Sequence, residues 1–338
     1  MMRRLTVPLI LAAVLGLLVT LAQGGGLDLY TQSVLMFMGI NVIMSASLNL
    51  INGHMGEFAC GHAAFMAVGA YVSSLITVAL FAQDTVFGAP LLPESLSVAF
   101  FPLALLAGAA VASLFGLLVA IPSFKTRGDY LAIVTIAANY IVKSAIENID
   151  AIGGARGFMG MRRVTTAMES TAELPWMLIW CFVTAVFCVW VIRRYVTSTY
   201  GKGVMAICQD EVAAEIMSVN TNRIKLVTFM LSSGLAGLAG GLFAHVVGYV
   251  NPGSFTILKS TEAMVMVYMG GMGSISGSVI SAVAFTLLLE ALRPLQILKW
   301  VIIPLILILL MMFRPEGIMG NKELSDVFPR LKKYFKFK

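Results

Sequence analysis

The densest cluster of side chains able to do chemistry lies between Asn49 and His62, which reads Asn-Leu-Ile-Asn-Gly-His-Met-Gly-Glu-Phe-Ala-Cys-Gly-His. It holds three glycines, two histidines, two asparagines and Glu57, with no Lys or Arg. His54, Glu57, Cys60 and His62 lack a strong zinc spacing, so a metal centre is not the reading. Clustered glycine and polar groups between two apolar runs fit a broken helix or re-entrant turn. Such backbone survives at membrane depth only where protein or a water-filled cavity satisfies it, and discontinuous helices often line transport routes. On this reading Asn49, Asn52, Gly53, Glu57 and His62 line a translocation route, with Glu57 near the membrane midplane. A tight polar turn at the interface is the alternative.

A second cluster runs from Gly203 to Asn220. Met205, Cys208, Val212, Ile216 and Val219 recur at helical spacing and predict one amphipathic helix that Asn220 ends. Gln209, Asp210, Glu211 and Glu215 stand beside that stripe. The stripe needs cover from the membrane, the body of the protein or a partner. The acidic residues disfavour an anionic lipid surface, which leaves docking to a partner as the preferred reading.

Other apparent motifs carry less. Gly270–Gly277 lacks the Gly-Lys-Ser/Thr of a phosphate loop, and Ser276 breaks the dinucleotide pattern. The sequence contains no Walker A motif, serine-hydrolase elbow or HExxH. Arg127-Gly-Asp129 falls on a segment read as cytoplasmic, which discards a cell-adhesion role. Lys143 and Glu147 make an i,i+4 pair. Gly237 and Gly241 form a GxxxG, read as helix packing. Cys60, Cys181, Cys188 and Cys208 form no CxxC and read as free thiols.

The elements that must position these residues are apolar helices. Of 338 residues, 59% are hydrophobic and only 12% charged, with mean hydropathy +0.91. That excludes an ordinary soluble domain, a disordered chain and a disulfide scaffold. Uncharged apolar runs cover 5–22, 29–51, 62–82, 98–121, 175–192, 226–247 and 263–289, and weaker ones cover 130–149 and 297–313. As one helix, 263–289 would span about 40 Å against a core of about 30 Å, so its glycines and serines suggest two short helices. That makes ten spans with both termini on one side. Of the 23 Lys and Arg, 16 then fall on that side and 6 on the other, with Lys143 inside a span. The excess marks the cytoplasm, and it explains the net charge of +6 without nucleic acid. The first run is read as a retained helix, with a cleaved signal peptide as its rival. The chain thus reads as an all-α polytopic membrane protein, with one permease-like domain over 1–320 and a basic cytoplasmic tail over 321–338.

Four stretches carry a family resemblance: Leu48–Tyr71; Arg127-Gly-Asp-Tyr-Leu-Ala-Ile-Val-Thr135; Gln209-Asp-Glu-Val-Ala-Ala-Glu215 continuing to Ala236-Gly-Leu-Ala-Gly240; and Gly270–Gly277 with Phe313-Arg-Pro-Glu-Gly317. In this order they resemble the LivM-type membrane permeases of branched-chain amino acid ABC importers. The resemblance implies a type II importer permease of about ten helices in the bacterial inner membrane. It also implies a LivH-like sister permease, two cytoplasmic ATP-binding subunits and an extracytoplasmic solute-binding protein. ATP and Mg would be held by the partner subunits, with no cofactor in this chain. Residues 203–220 become a coupling helix on an ATPase. Glu57-Phe-Ala-Cys60 departs from the usual Gln-Leu-Ser-Leu and puts the substrate in question. Urea or short amides in the same importer class, and an ion-coupled secondary transporter, stand as alternatives.

Overall fold

The structure, a computed structural model, describes residues 6–82, 88, 90–93, 96–125, 130–171, 174–313, 316–320 and 322–324. Arg127-Gly-Asp129, the first five residues and the basic stretch from 325 onward lie outside these residues.

Among the described residues the chain is helical almost throughout. In order come α1 (Thr6–Gln23), α2 (Leu29–Asn49), α3 (His62–Phe81), α4 (Ser97–Ser123), α5 (Tyr130–Glu147), α6 (Met161–Thr171), α7 (Trp176–Val196), α8 (Thr199–Gln209), α9 (Glu211–Ile216), α10 (Thr221–Val247), α11 (Ile257–Gly270), α12 (Ile275–Ala291) and α13 (Lys299–Phe313). Six of these helices are long and apolar enough to cross a membrane: α2 with its extension to Met55, α3, α4, α5, α7 and α10. Leu9–Gln23, Ile275–Ala291 and Val301–Phe313 are shorter apolar helices. The run 263–289 is two helices, interrupted at Gly271–Ser274. Gly271 and Gly273 there have φ of 111° and 81°, a conformation that β-carbons disfavour.

The centre of the bundle is α10 between α3 and α4, with α2 alongside. Lipid offers no hydrophobic drive for helix pairing, so close packing of small residues must supply it. A β-carbon on Gly69 of α3 would collide with the Gly237 backbone of α10, and one on Gly240 with the Met66 carbonyl. The GxxxG reading therefore holds as packing. His245 is paired inside this layer: its Nε2 meets Thr77 Oγ1 at 2.9 Å and its Nδ1 meets the Gly241 carbonyl at 2.7 Å. Large apolar side chains such as Leu103, Leu114, Leu118, Trp190 and Ile308 face outward, as lipid contact requires.

The helices share two ends. At one, the docking end, α8 and α9 sit with the start of α10, the turn after α2 and the α11–α12 break. At the other, Phe158–Met159 (β1) pairs antiparallel with Tyr249–Val250 (β2), and Arg293 lies over the Tyr30 ring at 4.8 Å. The body also extends past the boundary at 320 drawn from the sequence. Ile318 and Met319 donate to the carbonyls of Met269 and Gly270 at 2.9 and 3.1 Å, and Glu323 reaches α12. Residues 316–320 and 322–324 thus belong to the bundle. The basic asymmetry predicts that reporter fusions at residue 160 and residue 338 read outside and inside respectively; a tail reading outside defeats the ten-span topology.

Candidate functional site

The α-helical pattern of α2 gives way after Asn49 to a π-helical stretch, Leu50–Met55, and then to Gly56 at φ 74°. π-turns inside helices are rare and frequent at functional sites. Backbone without regular secondary structure follows to Gly61, just before α3 begins at His62. The amide groups freed by the break find side-chain partners. Cys60 N–H donates to Thr135 Oγ1 at 3.1 Å, Ala63 N–H to Ser260 Oγ at 2.9 Å, and Ala59 N–H to Asn52 Oδ1 at 3.2 Å.

Asn49 ties this break to the second one. Its Nδ2 donates to the Ser274 carbonyl at 2.9 Å and to Ser278 Oγ at 2.7 Å, while its Oδ1 accepts from Gly273 N–H at 3.0 Å. Gly53 lies so close to Asn49 and Gly273 that a β-carbon there would clash with both. From the far side, Glu323 accepts from the N–H groups of Ile275 and Ser276 at 2.8 and 3.1 Å and from Ser276 Oγ at 2.6 Å. A carboxylate on the first free N–H groups of α12 also suits the helix dipole.

The five residues assigned to a route are thus gathered along one connection, but they turn to other elements of the chain. Asn49 and His62 are each 1% exposed, and His62 Nε2 meets Ser47 Oγ at 2.8 Å. Asn52 closes its own loop. Glu57 Oε1 is 2.8 Å from Lys225 Nζ near the start of α10.

The docking stretch is two helices, not one. Asp210 adopts φ −159° and its carboxylate accepts from Val212 and Ala213 N–H at 2.9 and 3.0 Å, so it ends α8 and caps α9. Asp competes with helical hydrogen bonding in just this way, which apolar spacing does not register. Asn220 caps the start of α10 through Arg223 N–H at 3.0 Å rather than ending the docking helix. Val204, Ile207 and Ala214 are buried against the body. Four of the five stripe residues are left uncovered: Met205 is 51%, Val212 66% and Ile216 77% exposed, and Cys208 is exposed too, as are Gln209, Asp210, Glu211 and Glu215, whereas Val219 is half-buried. Glu215 Oε1 accepts from Thr221 Oγ1 at 2.8 Å, which fastens α9 to α10. Sequence reasoning missed Lys225 and Glu323 as parts of the site. Lys225 had a signal, a cation immediately before an apolar run; Glu323, 47 residues beyond Ser276, had none.

The sequence model of the branched-chain amino acid transport system permease component matches residues 30–313. The chain is 28% identical over 319 residues to the high-affinity branched-chain amino acid transport system permease protein LivM of Salmonella typhimurium, covering 87% of this chain and 70% of that one. It is 27% identical over 304 residues to LivM of Escherichia coli strain K12, covering 83% and 68%. Over a shorter stretch of 133 residues it is 29% identical to LivH of the same strain, covering 38% and 42%. No solved structure matches. A helical multi-pass bundle, matched from α2 to α13 by one sequence model, belongs to the branched-chain amino acid transport permease family.

Proposed function

We propose that the chain is the LivM-type half of the permease in an ATP-driven importer of branched-chain amino acids. It pairs with a LivH-like sister, receives substrate from an extracytoplasmic solute-binding protein and is worked by two cytoplasmic ATP-binding subunits that hold ATP and Mg. The observation that carries this reading is the uncovered apolar surface of α8 and α9, Met205, Val212 and Ile216, rimmed by Asp210 and Glu211. A helix that leaves such residues in water needs a partner groove. The docking end is the cytoplasmic one, and both termini lie there in the inner membrane.

On this reading Asn49 and Gly53 act on the route by holding the two helix breaks against each other, while Asn52, Glu57 and His62 fix the first break through Ala59, Lys225 and Ser47. The pairing of Glu57 with Lys225 removes it as a reason to prefer urea or short amides over amino acids. Lys143 and Glu147, 3.7 Å apart and partly exposed, form a helix-surface pair rather than a proton relay, which leaves the ion-coupled alternative without a carrier.

The purified chain alone is expected neither to bind nor to hydrolyse ATP, since the sequence contains no phosphate loop. Nucleotide binding and phosphate release, measured before and after adding back the ATP-binding subunits, check this. Hydrolysis by a preparation free of those subunits overturns the assignment. Uptake of leucine by vesicles holding the full complex tests the substrate.

A further inference from the structure

Lys225 holds more than Glu57. Its Nζ lies 2.8 Å from Glu57 Oε1 and 2.8 Å from Glu211 Oε1, and 5.7 Å from the centre of the Phe124 ring. One ammonium on α10 therefore joins the turn after α2 to the first residue of α9. The ammonium is the most enclosed member, its side chain 9% exposed against 23% for Glu57 and 48% for Glu211. A surface pair contributes little, but a shielded cation serving two carboxylates is left partly uncompensated if either segment moves away. Cys208 of α8 packs on Gly56 beside this triad, so the two segments touch twice.

We propose that Lys225 is a clasp that makes the docking segment and the turn after α2 move as one body, so that displacement of α8 and α9 reaches the Asn49 bracket and the α11–α12 break. This rests on the importer reading given above and assigns Lys225, Glu57 and Glu211 as positioning residues within it. The contacts run without a gap: α9 to Lys225, Lys225 to Glu57, and Gly53 and Asn49 of the same turn to Gly273 and Ser274. A turn anchored only by its own loop bonds would instead let α8 and α9 slide without moving α2.

The geometry offers a covalent substitute for the clasp. A β-carbon built at Gly56 falls 2.9 Å from Cys208 Sγ and 3.7 Å from its Cβ, inside the range of a disulfide. Gly56 sits at φ 74°, which strains a cysteine there, and the 2.9 Å approach requires the Cys208 side chain to turn; with that shift Gly56→Cys should cross-link to the native Cys208 on mild oxidation, with two protons and two electrons passing to the added oxidant. The test uses vesicles that hold the full transporter, supplied with binding protein and leucine, and reads leucine moved per ATP hydrolysed. Lys225→Met is expected to lower that ratio by about tenfold, equivalent to about 1.4 kcal/mol, while Lys225→Arg retains it. In the Gly56→Cys, Lys225→Met double variant, oxidation should restore the ratio and reduction should remove it again. A role in folding alone gives no such redox rescue. An unchanged ratio in Lys225→Met, or a complete cross-link without rescue, overturns the clasp. Should Lys225→Met fail to reach the membrane, Gly56→Cys alone decides. Oxidised, it transports at its reduced rate if the segments move together, and stops if they must separate. A parent complex that neither holds ATP-binding subunits nor transports leucine refutes the importer reading instead.

Discussion

Asn49→Leu is expected to abolish transport while leaving the helices inserted. Leucine keeps the branching of asparagine but is bulkier and carries no polar atom, so the change removes the hydrogen bonds and adds crowding at a tight site. The Asn49 amide donates to Ser274 and Ser278 and accepts from Gly273. Ser274's carbonyl keeps another donor in Ser278 N–H at 3.1 Å. Gly273 N–H loses the one partner it has among the described residues. Leaving a buried donor unpaired costs about 1–3 kcal/mol, and the other bonds contribute about 1 kcal/mol each. The total of about 3 kcal/mol shifts an open–closed equilibrium at the break by more than about a hundredfold. Asn49→Asp keeps the acceptor for Gly273 and loses the donor, so it should fall between parent and leucine. Melting temperature in detergent and protease cleavage around 271–274 report the loosened break; uptake reports its consequence. A leucine variant that melts and transports like the parent shows that the α2 break and the α11–α12 break are independent.

Elements whose signal is a long uncharged run were legible: α2, α3, α4, α7 and α10 lie within a few residues of the runs that predicted them. So was the break in 263–289, because an overlong run with glycines at 270, 271, 273 and 277 is poorly suited to one straight helix. What stayed hidden were contacts between distant segments. Nothing near Glu57 in sequence indicates that its cation lies 168 residues away on α10. For the same reason the sequence showed Glu57 as a lone carboxylate between two apolar runs, without its partner. The docking stretch failed differently. Its spacing is helical from Met205 to Val219, but one aspartate that prefers to cap divides it, and apolar periodicity does not register a cap. The exposure of the stripe survived this error because α8 and α9 turn Val204, Ile207 and Ala214 inward instead.

That exposure sets the second large effect: Val212→Asp with Ile216→Asp should eliminate ATPase docking and uptake without harming the chain itself. The two side chains stand one turn apart on α9, on a common face. Both are mostly exposed in the isolated chain, so the substitutions remove little internal packing, and surface changes of this kind usually stay within about 0.5 kcal/mol. In a docked complex the same side chains would be buried. Losing their burial forfeits about 1.5–3 kcal/mol each, and each new carboxylate adds a desolvation penalty. At least about 3 kcal/mol is more than about a hundredfold in affinity. Reversing Asp210 and Glu211 to lysine is a poorer test. Asp210 caps α9, and a lysine at 211 would face Lys225, so both would disturb the segment before any partner arrived. Co-purification of the ATP-binding subunits with the Val212, Ile216 double variant measures docking, and melting temperature of the chain alone controls for folding. A double variant that retains its ATP-binding subunits and transports at the parental rate would mean that α8 and α9 are not the docking surface. The uncovered stripe would then face solvent or lipid, and the force that moves the helix breaks would have to enter elsewhere.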